Sequence, residues 1–202
     1  MQSTTQVLLI RHGETEWSRT HRHTGLTDIG LTETGERQAA ALGAKVAAFE
    51  LAEVWTSPLR RAAQTCHLAG LGDRAVVHDD LVEWDYGEFE GSVTADHRVR
   101  DPSWSIWTAP IHEGETLAAV GRRADAVVER LVAVGGSVAV FAHGQFLRIL
   151  ASRWIGAPPD TGRHLVLGPA TVSILGIDRG DRVIEGWNEA CRLPGDAAGP
   201  AA

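Results

Sequence analysis

The stretch Gln6-Val7-Leu8-Leu9-Ile10-Arg11-His12-Gly13 sets the reading of the whole chain. A short apolar run that stops at Arg11-His12-Gly13 predicts a strand buried on both faces, the kind found in parallel sheets covered by helices. The pattern then recurs. A helix is predicted over residues 32–49 with Thr32 as its cap, a strand over 53–56, and a helix over 59–68 entered through Ser57-Pro58. Residues 137–142 form another apolar run, leading through His143-Gly144 into a helical stretch over 146–155. A further strand is predicted over 75–78 and a long helix over 115–134, with Leu117, Val120, Ala124, Val127, Val128 and Leu131 along one face. Two strands at 171–177 and 182–187 read as an edge hairpin. Strands alternating with helices predict the α/β class: a three-layer sandwich with a mostly parallel central sheet and helices on both faces.

With 202 residues, 44% of them apolar, the chain can enclose one core but hardly two. One domain over 1–193 is expected, with a tail of Gly, Ala and Pro over 194–202. Residues 91–113 carry Trp104, Trp107, Pro102 and Pro110 without periodicity and read as an excursion over the domain, a candidate lid. The net charge of −7 disfavours binding to nucleic acid or to an acidic membrane surface. No apolar run approaches membrane-spanning length, and Met1-Gln2-Ser3-Thr4-Thr5 lacks a secretory pattern, so a cytoplasmic protein is expected. Cys66 and Cys191 form no C-x-x-C, which predicts idle thiols.

The chemistry gathers at the predicted strand ends. Arg11 and His12 follow the first strand, Arg60 the second and His143 the 137–142 strand, so all four would converge on one crevice at the sheet's carboxyl edge. Two guanidiniums and two imidazoles suit a phosphomonoester, whose oxygens match the planar fork of arginine. Arg61 reads as a charge on the solvated helix face, and His21-Arg22-His23 as loop or pocket wall without metal-ligand spacing. Neither a metal nor a cofactor is indicated. His12-Gly13-Glu14 lacks the P-C-x-x-C partner of zinc deaminases, and Gly70-Leu71-Gly72-Asp73-Arg74-Ala75 follows a helix rather than a strand, which argues against a dinucleotide site.

On these residues the chain resembles the histidine phosphatase superfamily, the phosphoglycerate-mutase-like enzymes. Their R-H-G-E-T stands at Arg11 to Thr15, and further stretches follow in family order: Leu26 to Gly35, Ser57 to Thr65, Glu83 to Gly91, Gly114-Glu115-Thr116 and Ala142-His143-Gly144. The resemblance implies that His12 is the nucleophile, that Arg11, Arg60 and His143 hold the transferred group, and that Glu83 is the proton donor. It also implies substrate contacts at Thr24 and Gly25. Gln145, at a predicted helix start after His143-Gly144, is a further contact. Ser18 stands where the mutases usually place an asparagine.

Mutases also carry a longer, basic cover that grips the second phosphate of their intermediate. Here the cover is short, with Arg98 and Arg100 among apolar and aromatic residues, which favours hydrolysis of a small phosphorylated metabolite over mutase action. The reading from another class, a catalytically silent phospho-ligand-binding or interaction module, is opposed by the intact set of chemical residues. Trp17, Trp84, Trp104 and Trp107 are candidates for apolar walls against the leaving group. A homodimer is left open.

Overall fold

The computed structural model describes residues 6–191, so the 194–202 stretch expected as a tail lies outside the described residues. Six strands form one sheet: β1 (Val7–Arg11), β2 (Leu51–Thr56), β3 (Ala75–Val77), β4 (Ser137–Ala142), β5 (Thr171–Asp178) and β6 (Asp181–Ala190), in the order β3-β2-β4-β1-β5-β6. The four strands β3, β2, β4 and β1 run parallel, whereas β5 is antiparallel to β1 and β6 to β5. The sheet is therefore mixed. Its antiparallel part is the predicted hairpin, which is longer than the sequence suggested because the turn takes up only Arg179 and Gly180, both at positive φ.

Alternation along β1 divides the core in two. Val7 and Leu9 pack with the long helix α5 (Leu117–Val134) and with α6 (Gly144–Trp154) on one face. Leu8 and Ile10 pack with Leu42 and Val46 of α2 (Glu33–Val46) and Cys66 of α3 (Arg60–Leu68) on the other. All four are fully buried, each contributing roughly 1.5–3 kcal/mol by removal from water. This is the continuous apolar run expected of a strand sandwiched between two helical layers. Thr32, predicted as a cap, accepts from the Gly35 N–H; α5 begins two residues later than predicted because Thr116 caps it by accepting from the Ala119 N–H, and Gly135 closes it at a φ of +69°. Helix α6 begins two residues earlier than its apolar pattern indicates, because His143 itself is the N-cap.

The chain leaves β1 for α2 on one face of the sheet and leaves the neighbouring β4 for α6 on the other. A crevice opens between strands whose connections diverge in this way, at their carboxyl ends. Helix α1 (Glu16–Arg19) brings Ser18 to it, and α4 (Thr94–Arg100) packs alongside, with Thr94 Oγ1 3.1 Å from His23 Nε2. The 91–113 excursion contains α4 and is pinned by aromatic contacts. His97 stacks on Trp104 with centroids 4.2 Å apart, while Ile106 and Trp107 enter the core. Cys66 is buried, which pushes its thiol up to about 12, and no helix among the described residues is long and apolar enough to cross a membrane.

Candidate active site

The β1–β4 ladder continues one step beyond the strands, with the His12 N–H donating to the Ala142 carbonyl at 3.0 Å. That step places the His12 ring in the crevice. Its Nδ1 lies 2.8 Å from the Gly13 carbonyl, which can only accept, so the proton sits on Nδ1 and the Nε2 lone pair is free. Burial, followed by the nearby Arg61 and Arg11 charges, holds the imidazole well below its ordinary value of 6.5. At neutral pH His12 is thus an uncharged ring with an open nucleophilic nitrogen.

Glycine makes the turn after it possible. A Cβ on Gly13 would lie 2.5 Å from the Gly35 carbonyl oxygen, and one on Gly35 would lie 2.1 Å from the Glu14 carbonyl oxygen. The loop after β1 and the first turn of α2 touch backbone to backbone, which no other residue pair permits. The Gly13 N–H then donates to Thr65 Oγ1 on α3.

His143 sits behind His12, with ring centroids 5.3 Å apart. Its Nδ1 faces Arg61 Nε at 3.1 Å, and because a guanidinium can only donate, Nδ1 must accept and Nε2–H donates to Ser57 Oγ at 2.8 Å. Burial first, then Arg61, His12 and Arg11, holds His143 well below 6.5 as well. Arg61 is fully buried, and it also donates to the carbonyls of Thr24, Gly25 and Thr27. The amides of Gly25 and Thr27 are in turn bound by the Glu90 carboxylate, so the 24–27 loop is gripped from both sides.

Arg60 does not join them. It is exposed, its backbone N–H donates to Asp28, and its guanidinium lies near Gly30 instead of lining the cavity. The expected convergence of Arg60 is corrected to Arg61. Helix α3 starts at Arg60, and its buried stripe runs through Arg61, Ala62, Thr65 and Cys66, one residue later than counting from the strand end implies. That stripe is visible in the sequence as helical periodicity, and it is the signal that separates the two arginines.

A cavity of about 130 Å³ opens in front of His12. Of the residues singled out from sequence, Arg11, His12, Ser18, Thr24, Glu83 and Gln145 line it, whereas His143 and Gly25 stand behind its wall. Arg11 Nε is buried without a hydrogen-bond partner among the described residues, a donor with capacity for an oxyanion. Ser18 is tied into a capping box with Thr15 at the start of α1. Glu83, only 4% exposed, accepts from the N–H groups of Trp84, Gln145 and Phe146, which docks its carboxylate on the N-terminus of α6.

Six further residues line the cavity: Tyr86, Gly144, Arg148 and Leu167, which the sequence did not single out as contacts, and Arg22 and His23, read there as loop or pocket wall. Burial, reinforced by His97, lowers His23 to about 4, and burial with the Glu83 charge raises the Tyr86 phenol well above its ordinary range, so both are neutral. The tryptophans are not cavity walls. Trp84 and Trp107 are buried in the core with centroids 5.6 Å apart, Trp104 packs against that cluster, and Trp17 lies against Gly91. Their large apolar area is used for packing, leaving a cavity lined mainly by polar and charged groups.

Among the described residues no group of three or more His, Cys, Asp or Glu side chains could hold a metal ion. The arrangement can therefore be stated as an uncharged nucleophilic nitrogen, guanidiniums beside and behind it, and a carboxyl on the facing wall.

Comparison with known proteins points the same way. The model of the histidine phosphatase superfamily (branch 1) matches residues 7–190. A Mycobacterium tuberculosis protein named acid phosphatase is 39% identical, over 88% of this chain and 89% of its own length. A sedoheptulose 1,7-bisphosphatase of Saccharomyces cerevisiae is 34% identical, over 76% and 68%. The solved structure of a Mycobacterium tuberculosis open reading frame product superposes with a TM-score of 0.87 at 37% identity, covering 93% of this chain and 98% of that one.

Proposed function

The chain belongs to the histidine phosphatase superfamily, branch 1, and from that premise we propose that it is a phosphoric monoester hydrolase working through a phosphohistidine at His12. The observation that carries this reading is the fixed tautomer of His12, with Nδ1–H on the Gly13 carbonyl and Nε2 open to a cavity in which Arg11 has an unused donor.

Hydrolysis of a phosphate monoester is so slow unaided that acceleration on the order of 10²¹-fold can be required. Two in-line transfers divide that barrier. In the first, His12 Nε2 forms a bond to phosphorus as the P–O bond to the leaving group breaks, and the proton that a monoanionic phosphate brings in passes by way of Glu83 to the departing oxygen. In the second, a water loses a proton to the Glu83 carboxylate and attacks phosphorus, the P–N bond breaks, and inorganic phosphate leaves His12 neutral again. Arg11 beside the nucleophile meets the charge on the equatorial oxygens throughout, while Arg61, buried behind the cavity wall, adds its positive charge from there. Arg61 also aligns His143 and the 24–27 loop, so one side chain braces three parts of the site.

The same proposal takes the reaction to be metal-independent, because guanidiniums supply the charge that a metal would otherwise bring. It places the enzyme in the cytoplasm, gives it small phosphorylated substrates, and assigns residues 91–113 the part of a cover. The mutase alternative is weaker: Arg98 and Arg100 do not line the cavity, and Arg98 Nε is engaged by the Trp104 carbonyl.

Turnover of p-nitrophenyl phosphate by the intact protein, and its loss by on the order of 10⁴-fold or more in His12→Ala, is the expected result. Acid-labile labelling of His12 in quenched enzyme accompanies it. Undiminished turnover in the variant would falsify the covalent role, and isomerisation of 3-phosphoglycerate with little phosphate release would replace hydrolase by mutase.

A further inference from the structure

Glu83 is the one member of the reacting set that no strand or helix carries. Arg11, His12 and His143 follow from paired strands, whereas residues 82–86 belong to no regular element and have to be held by other means. Arg123 on α5 holds them. All five N–H groups of its guanidinium are engaged by one stretch of chain and one carboxylate. Nη1 donates to the carbonyls of Asp80 at 3.0 Å and Val82 at 2.7 Å, Nη2 to the Glu83 carbonyl at 3.3 Å and to Glu115 Oε2 at 2.6 Å, and Nε to Glu115 Oε1 at 3.0 Å. Its Cζ also lies 4.6 Å from the centroid of the Phe146 ring, and the Phe146 N–H donates to Glu83 Oε1. The guanidinium thus braces the Glu83 backbone while packing on the residue that grips the Glu83 carboxylate.

Glu115 completes the clamp from the other end of the segment. Its N–H donates to the Asp85 carbonyl at 3.0 Å, its Oε2 accepts from the Asp85 N–H at 3.2 Å, and its carbonyl accepts from Trp84 Nε1 at 2.8 Å. Gly114 permits this approach, because a Cβ there would lie 2.6 Å from the Asp85 carbonyl oxygen. The Gly114-Glu115-Thr116 stretch does not line the cavity, and its work lies elsewhere: Thr116 caps α5, and Glu115 ties the start of that helix to the chain around Glu83.

We infer that Arg123, with Glu115, is the positioning residue of the proton-donating carboxyl: it sets where Glu83 stands without touching substrate. This rests on the hydrolase reading above and adds to it the group that aims its acid. Neither Arg123 nor Glu115 lines the cavity, and the Arg123 charge is met by Glu115, so the pair acts through the backbone of residues 80–85. A planar fork is what the task requires, since a lysine ammonium offers three donors and cannot span a carboxylate and three carbonyls at once. Displacing the carboxyl by a fraction of an ångström lengthens the path of the proton while His12 and Arg11 keep their places on β1.

The ratio of kcat/KM for p-nitrophenyl phosphate to that for glycerol 3-phosphate reads proton delivery, since a phenolate leaves unaided and an alkoxide does not. Arg123→Gln is expected to raise that ratio by about 5- to 30-fold, and Arg123→Lys to raise it less. Combined with Glu83→Gln, the Arg123 change is expected to add nothing further to the ratio, because the group it aims is gone. Arg153→Gln, which frees Asp125 on the same helix α5, is the control and should leave the ratio within about twofold. Should melting temperatures show that Arg123→Gln does not fold, Glu115→Gln is measured in its place with the same expectations. A ratio that holds steady while both values fall, a rise that persists in the Glu83→Gln background, or an equal rise in Arg153→Gln would overturn the positioning role and leave the hydrolase reading intact. Absence of p-nitrophenyl phosphate turnover by the intact protein would instead strike the hydrolase reading, and this inference with it.

Discussion

The floor of the cavity and the 91–113 segment are built by opposite means. Arg11, His12 and His143 extend directly from paired strands, and Ser57, bonded to His143, is fixed by its own N–H on the Phe141 carbonyl at 3.0 Å. The ladder thus dictates where these groups lie. The 91–113 segment holds on differently, through one bridge between Arg22 and Val93 and through the stacked rings of His97 and Trp104 over Phe89. Reaction geometry demands positions accurate to fractions of an ångström, which a sheet provides. Choice among leaving groups demands only a wall of the right charge, which loops and a helix face can supply.

If the floor is the rigid reacting end, its most sensitive point is the buried arginine at the start of α3. Arg61→Ala is expected to lower kcat/KM for p-nitrophenyl phosphate by about 10²- to 10³-fold, because it removes a buried charge behind His12 and releases His143 and the 24–27 loop. Arg60→Ala, one residue away, should stay within about threefold, because a solvated side chain outside the cavity has little to lose. Steady-state kinetics on both, with melting temperatures to confirm folding, decide the matter. The opposite ranking would return the phosphate contact to Arg60 and break the distinction drawn between the two.

That pair also shows what could be read in advance. Strands β1, β2 and β4 were legible because each is a short apolar run ending at a turn, and the groups just beyond β1 and β4 followed from them. Arg61 was legible in principle from the stripe it shares with Ala62, Thr65 and Cys66, but counting from the strand end gives Arg60 instead. Arg148 was not legible as a cavity wall, since its place depends on how α6 leans over the sheet, whereas Arg22 and His23 read as loop or pocket wall and stand in that wall because the 20–25 loop folds back. Trp84 and Trp107 misled for a physical reason: an indole beside an active-site motif satisfies a core as readily as a pocket, and here the core takes both.

A smaller effect is read by pH, to which the floor contributes two histidines beside His23, itself lowered by burial to about 4. His12 and His143 are both buried and held neutral well below 6.5, whereas in the unfolded chain each would protonate near that value. Below pH 6.5 the unfolded state therefore binds more protons than the folded one, and stability is lost as pH falls, by up to about 1.4 kcal/mol per unit for each of the two rings. Above pH 6.5 this contribution is fully present. Melting temperatures are expected to drop between pH 7 and 5, and less so in His143→Gln. An unchanged slope in that variant would mean that the floor histidines are not the neutral groups described.

Glu83 stands where the two regions meet, and its variant is expected to give the smallest and most selective effect. Glu83→Gln leaves one oxygen to accept from the α6 amides but turns an NH₂ toward the rest, a loss of alignment that falls equally on all substrates. Proton donation does not fall equally. An aryl phosphate releases a stable phenolate unaided, whereas an alkyl phosphate needs its oxygen protonated. Because kcat/KM covers events only through departure of the leaving group, the later role of Glu83 as base toward water drops out of it. The ratio of kcat/KM for p-nitrophenyl phosphate to that for glycerol 3-phosphate should therefore rise by about 10- to 100-fold in the variant. A ratio that stays constant while both values decline would make Glu83 a scaffold for α6, and the proton would have to come from another group on the cavity wall.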